Sequence, residues 1–141
     1  MNNQEAFETI IRHLMNQKRR CATDNGECYY RHPFEPGLKC AAGALIPDEY
    51  YEEQMERRGI GSLIDTNEGR NGRLQNDIKK LFMGIDLNLL TALQGMHDNV
   101  NPGLWKQKLY VISMNYNLDN TILGEFEDIP MEESFVVERK W

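Results

Sequence analysis

Three cysteines, one histidine and two cations lie between residues 21 and 40, and they set the chemistry that this chain could attempt. Cys21, Cys28, His32 and Cys40 offer thiolate and imidazole donors of the kind that hold tetrahedral zinc. Their spacing lacks a Cys-x-x-Cys knuckle, and Cys28 and Cys40 read equally as small apolar side chains turned inward on paired strands. Further on, the adjacent pair His97-Asp98 is the centre of one class of metal-dependent phosphohydrolases. That chemistry also needs a separate histidine and a later aspartate, roles open only to His13 or His32 and to Asp119. The competing reading places His97 at a helix C-terminus, with Asp98 and Asn101 ordering the turn before Pro102. No Gly-x-Ser-x-Gly elbow, phosphate loop or dinucleotide fingerprint is present, so a Cys–His pair drawn from Cys28 or Cys40 with His32 or His97 has no motif behind it.

Anion capture is the best-motivated chemistry. A hairpin passing into a helix near Ala41 would leave the N–H groups of Ala41 to Gly43 unpaired, beside the Arg31 guanidinium and the Lys39 ammonium. Gly43 would let a group approach closely, and Tyr29, Tyr30, Phe34, Tyr50 and Tyr51 would supply stacking surface. Arg31, Lys39, Gly43, Asp48, Tyr50, His97 and Asp98 are accordingly the residues assigned to ligand binding. The structural alternative is that Arg31 pairs with Asp48 or Glu49 and that Gly43 serves close packing.

These residues must be positioned by local structure. Asn2-x-x-Glu5 is a capping box, followed by Ala6, Phe7, Ile10, Ile11, Leu14 and Met15 at helical spacing, which predicts a helix over 3–18. Its basic end, Lys18-Arg19-Arg20, reads as solvated. Asn25-Gly26 predicts a type I′ turn pairing strands at 21–23 and 28–31, and the turn 32–37 returns a third strand at 38–40. Helical composition follows over 41–46, with a helix at 48–58. A loop spans 59–73 with one turn at 62–64. A helix bears Leu74, Ile78, Leu81 and Phe82, and another bears Leu89, Leu90, Leu93 and Met96. Asn101-Pro102 opens a last helix with Leu104, Trp105, Leu109, Ile112 and Tyr116 on one face. Residues 134–138 have the propensity of an edge strand. The expected fold class is α+β: a mainly helical single domain, residues 1–118, with a short antiparallel β-meander after the first helix, and an acidic C-terminal extension, residues 119–141.

At 141 residues the chain is long enough for one core, and 40% hydrophobic with 27% charged residues is ordinary globular composition. The net charge of −6 falls mainly after residue 118, where seven acids face only Arg139 and Lys140. That distribution disfavours general nucleic-acid binding, and a solvated tail is its simplest reading. Short apolar runs and an unremarkable N-terminus predict no membrane span and no leader; three cysteines predict a reducing, cytoplasmic setting.

The stretch Cys28-x-Tyr30-Arg31, Gly37-x-Lys39-Cys40-Ala41-x-Gly43-x-Leu45-Ile46-Pro47-Asp48, with Leu93-Gln94-x-x-His97-Asp98 and Trp105, resembles a group of small uncharacterised proteins of bacteria and their phages. The resemblance covers about a third of the chain and carries no activity. It implies that the hairpin, the 40–48 run and His97-Asp98 form one unit, and it implies a phage or mobile-element setting. The function expected is a non-catalytic binding protein, without cofactor, that captures a host protein or a small phosphorylated or nucleotide ligand. The alternatives are a metal-dependent phosphoester hydrolase using His97-Asp98 and a protein inhibitor acting through the acidic tail.

Overall fold

The computed structural model of the chain describes residues 1–56, 58, 59, 61 and 78–137. Its core is built on α1 (Asn3–Gln17), α2 (Leu87–Asn99) and α3 (Trp105–Asn115), with a further helical stretch at 78–82. The capping box of α1 is formed: the Asn2 side chain accepts the Glu5 N–H at 2.8 Å, and the Glu5 carboxylate accepts the Asn2 N–H at 3.1 Å. Lys18 ends the helix in the left-handed region, φ 66°, and returns its N–H to the Leu14 carbonyl. Ala6, Phe7, Ile10, Ile11, Leu14 and Met15 are buried, as their spacing predicted. They share the core with Leu89, Leu90, Leu93 and Met96 of α2 and with Trp105, Leu109 and Ile112 of α3. Asp86 caps α2 by accepting the Asn88 N–H. Asn101 caps the 3₁₀ turn Pro102–Leu104 that leads into α3. Leu104 departs from the expected face and is exposed.

The β-meander does not form, and the α+β expectation is corrected: among the described residues there is no strand and no sheet, and the fold is mainly helical. What remains of the meander is two isolated antiparallel bridges, Ala22 with Cys28 and Arg31 with Lys39. The reason lies in how the extended backbone finds its partners. The N–H groups of Tyr30 and Arg31 donate to the two oxygens of the Glu56 carboxylate, at 2.8 and 3.1 Å. Gln17 pairs its side-chain amide with both the N–H and the C=O of Lys39. Gln4 does the same for Asp119 and Asn101 for Glu132. A side-chain amide mimics a neighbouring strand for one residue only, so the backbone is satisfied but no ladder propagates. The tight turn is also of another type. Gly26 alone has positive φ, 84°, and Gly26 N–H donates to Thr23 O while Thr23 N–H donates to Glu27 O, the pattern of a type I turn closed by a glycine bulge.

The helices expected over 41–46 and 48–58 are single 3₁₀ turns, at Gly43–Leu45, Asp48–Tyr50 and Glu53–Met55. Tyr51 and Glu52 between the last two are extended, which lets Glu56 reach back to Tyr30. Residues 134–137 form no strand. The loop expected over 59–73 and its turn at 62–64, Leu74 and Glu138 fall wholly or largely outside the described residues. The described part of the segment after 118, residues 119–137, lies on the body. A 3₁₀ turn, Thr121–Glu125, packs against α1 and α3, and Ile122, Leu123 and Ile129 are buried. Arg20 is not part of a solvated helix end, because its side chain is 3% exposed and holds Glu132.

Candidate functional site

Arg31 and Lys39 face one another across their bridge and project to the same side, toward Asp48. Arg31 Nη2 lies 2.8 Å from Asp48 Oδ1 and also donates to the Ile46 carbonyl at 3.0 Å, while Lys39 Nζ lies 3.8 Å from the same carboxylate oxygen. The guanidinium stacks on the Tyr51 ring, 4.5 Å from its centroid, and its Nε is buried without a partner. Asp48 stands at the surface, 82% exposed. These groups line a cleft of about 910 Å³ that also includes Tyr29, Phe34, Glu53 and Glu56. Tyr51, not Tyr50, supplies its aromatic wall. Beneath the cleft, Tyr51 donates its hydroxyl to Glu56 at 2.6 Å, and burial followed by that carboxylate pushes the phenol's pKa up.

Two of the three amides expected to stay free at the hairpin-to-helix junction, those of Ala42 and Gly43, are occupied. Ala42 N–H donates to Gln94 Oε1 at 2.9 Å, Gly43 N–H points to Cys40 Sγ at 3.3 Å, and Ala44 N–H bonds to the Cys40 carbonyl. Gly43 is needed for packing, because a Cβ there would lie 2.1 Å from the Tyr30 carbonyl oxygen. The pairing of Arg31 with Asp48 and the close approach at Gly43 are thus both geometries of the structural reading.

His97 and Asp98 belong to a separate, interior node. His97 is fully buried and stacked on Trp105, with ring centroids 5.7 Å apart. Its Nε2 accepts the Cys21 N–H at 2.9 Å, and a backbone N–H can only donate. The ring proton therefore sits on Nδ1 and is given to Asp98 Oδ1 at 2.8 Å. Asp98 Oδ1 also accepts from Gln94 Nε2, so one polar chain runs from Ala42 through Gln94 and Asp98 to His97 and Cys21. Gln94, His97 and Asp98 share a helix face by their spacing of three and four residues, a signal present in the sequence.

Of the four residues considered for zinc, each has its own engagement. Cys21 Sγ donates to the Leu38 carbonyl, Cys28 Sγ donates to the Gly26 carbonyl at 3.7 Å, Cys40 Sγ receives the Gly43 N–H, and His32 Nδ1 accepts from Phe34 and Glu35 N–H. Among the described residues, Cys28, His97 and Asp98 bring one ligand atom each within 4.8 Å of one another. That set does not fit a metal ion, since neither nitrogen of His97 has a lone pair to give while Cys21 N–H occupies Nε2. The same engagement denies His97 the role of base toward Cys28. Burial pushes the pKa of the Cys21 thiol up, and that of Cys40 likewise, which keeps both protonated and poorly nucleophilic.

No helix among the described residues is long and apolar enough to cross a membrane. No family model matches the chain, and neither a curated protein nor a solved structure matches it.

Proposed function

We propose that the chain is a non-catalytic binding protein, and that its partner is a protein segment seated at the mouth of the Arg31–Lys39–Asp48 cleft. The observation that carries this reading is that two cations share one exposed carboxylate beside an aromatic wall. An exposed ion pair contributes only about 0–1 kcal/mol, so an incoming carboxylate can exchange with Asp48 at little cost. Phe34, 82% exposed on the cleft's rim, adds apolar contact. The cleft sets Arg31 and Lys39 against Asp48, Glu53 and Glu56, a mixed charge that suits a protein segment better than a bare phosphate. In the phage or mobile-element setting that the resemblance implies, that segment belongs to a host protein in a reducing cytoplasm.

Affinity purification of the intact protein beside Phe34→Ala and Lys39→Glu variants tests the reading. A protein retained by the parent and lost from both variants supports it. The small-ligand version is tested by calorimetry with nucleotides: tight binding that Lys39→Glu abolishes would replace the protein partner with a phosphorylated one. Equal retention by all three proteins, with no nucleotide bound, sinks both.

A further inference from the structure

Arg20 and Asn101 grip the chain's own C-terminal segment in the way a peptide-binding site grips a ligand. Asn101 Nδ2 donates to the Glu132 carbonyl at 3.0 Å, and its Oδ1 accepts the Glu132 N–H at 2.9 Å, so the amide reads backbone. Arg20 reads two side chains and one carbonyl. Its Nε meets Glu132 Oε2 at 3.3 Å, its guanidinium lies 4.2 Å from the centroid of the Phe135 ring, and its Nη1 donates to the Val136 carbonyl at 2.7 Å. Against the body, Met131 covers Gly103, where a Cβ would fall 2.4 Å from the Met131 sulfur.

Two features separate this arrangement from ordinary core packing. The segment 132–137 carries no helix or strand and every residue in it is at least partly exposed, so it lies on the surface. The receiving arginine, by contrast, is 3% exposed and is also held from the body by the Asp98 carbonyl at 3.4 Å. A guanidinium fixed in the body without its carboxylate is a costly group, and it will favour any segment that restores the pattern.

We propose that Arg20 and Asn101 form a recognition site for a Glu-x-x-Phe-Val segment, filled here by residues 132–136, and that a partner protein bearing such a segment displaces the tail. The tail holds its place because tethering gives it an effective concentration on the order of millimolar, not because its contacts are extensive. The site is distinct from the Arg31 cleft, and neither proposal depends on the other.

The test uses the full chain and a labelled peptide with the sequence of residues 130–137. Glu132→Gln combined with Phe135→Ala, both on the surface, frees the site of its own tail. The peptide is expected to bind this double variant at least about tenfold more tightly than it binds the parent. Peptides carrying the same two changes singly are expected to lose about tenfold each, the worth of one charged hydrogen bond or one ring contact. Adding Arg20→Met to the double variant should abolish binding; if that protein does not fold, the altered peptides decide by themselves. Equal binding to parent and double variant, or equal binding of altered and unaltered peptides, overturns the proposal. A dimer of the parent that the double variant lacks would overturn the hetero-partner by assigning the segment to a second copy.

Discussion

Arg20 and Arg31 are held by the same three kinds of contact. Each meets a carboxylate, Glu132 or Asp48, and donates to a main-chain carbonyl, Val136 or Ile46. Each lays its guanidinium on a ring, Phe135 or Tyr51. The difference is in water and in distance along the chain. Arg20 is 3% exposed and its acid 37%, while Arg31 is 20% exposed and its acid 82%. Arg20 joins residues 112 to 116 positions away, whereas the carbonyl that Arg31 reaches, Ile46, is 15 positions away. The same kinds of contact thus make a long-range clasp in one place and a local, water-exposed brace in the other.

Replacing each arginine by methionine, which keeps most of the apolar stem, breaks this comparison most directly. Arg20→Met should lower stability by about 2–3 kcal/mol, less than a fully buried pair would cost because Glu132 regains water. Arg31→Met should cost about 1 kcal/mol, since Asp48 is already solvated. Urea unfolding of the two variants measures both, and equal losses would remove the distinction between clasp and brace.

The Arg31 side rests on a carboxylate beneath it, and that carboxylate is the next largest lever. Glu56→Ala leaves the N–H groups of Tyr30 and Arg31 and the Tyr51 hydroxyl without their acceptor. A loss of about 2 kcal/mol is expected, with faster hydrogen exchange at Tyr30 and Arg31 but not at Glu132. On the other side, Asn101→Ala removes the two bonds to Glu132 and the cap on Gly103, for about 1–2 kcal/mol, with the exchange pattern reversed. If either substitution loosens both regions alike, the two arginines belong to one cooperative unit.

What the sequence disclosed follows the same division. Asn2, Glu5 and the apolar face of α1 announce themselves because a helix places its cap and its buried side chains at fixed short offsets. Asn101 before Pro102 announced the start of the last helix for the same reason. Arg31, Lys39 and Asp48 could be brought together on paper because one turn and one proline-marked segment separate them. Glu56, Gln17 and Gln4 gave no warning: each satisfies backbone 26, 22 or 115 residues away, and a single side-chain bond has no period to detect. The meander was expected because turn residues at Asn25-Gly26 and Pro36-Gly37 mark reversals of the chain, and the chain does reverse there. Turn chemistry specifies a reversal; it does not specify whether a strand or a lone carboxylate receives the exposed amides.

His13 offers the smallest effect, and it sharpens the view of the Arg31 side. Its Nε2 lies 2.7 Å from Gln17 Oε1, the same oxygen that accepts the Lys39 N–H, so the ring donates from Nε2 and stiffens the amide that positions Lys39. Burial, with Lys39 and His97 contributing, lowers its pKa below the usual 6.5 against the opposing pull of the Gln17 bond. Well above pH 6.5 the ring is neutral in both folded and unfolded chains and contributes no pH dependence. As pH falls below that point the unfolded chain takes up the proton first, so stability declines until the folded pKa is passed and then levels off. His13→Gln retains a donor toward Gln17 and abolishes the titration. The urea midpoint of the parent should therefore fall further between pH 7.5 and pH 5.5 than that of His13→Gln, all other titrating groups being common to both. Parallel declines would show that His13 carries no such linkage.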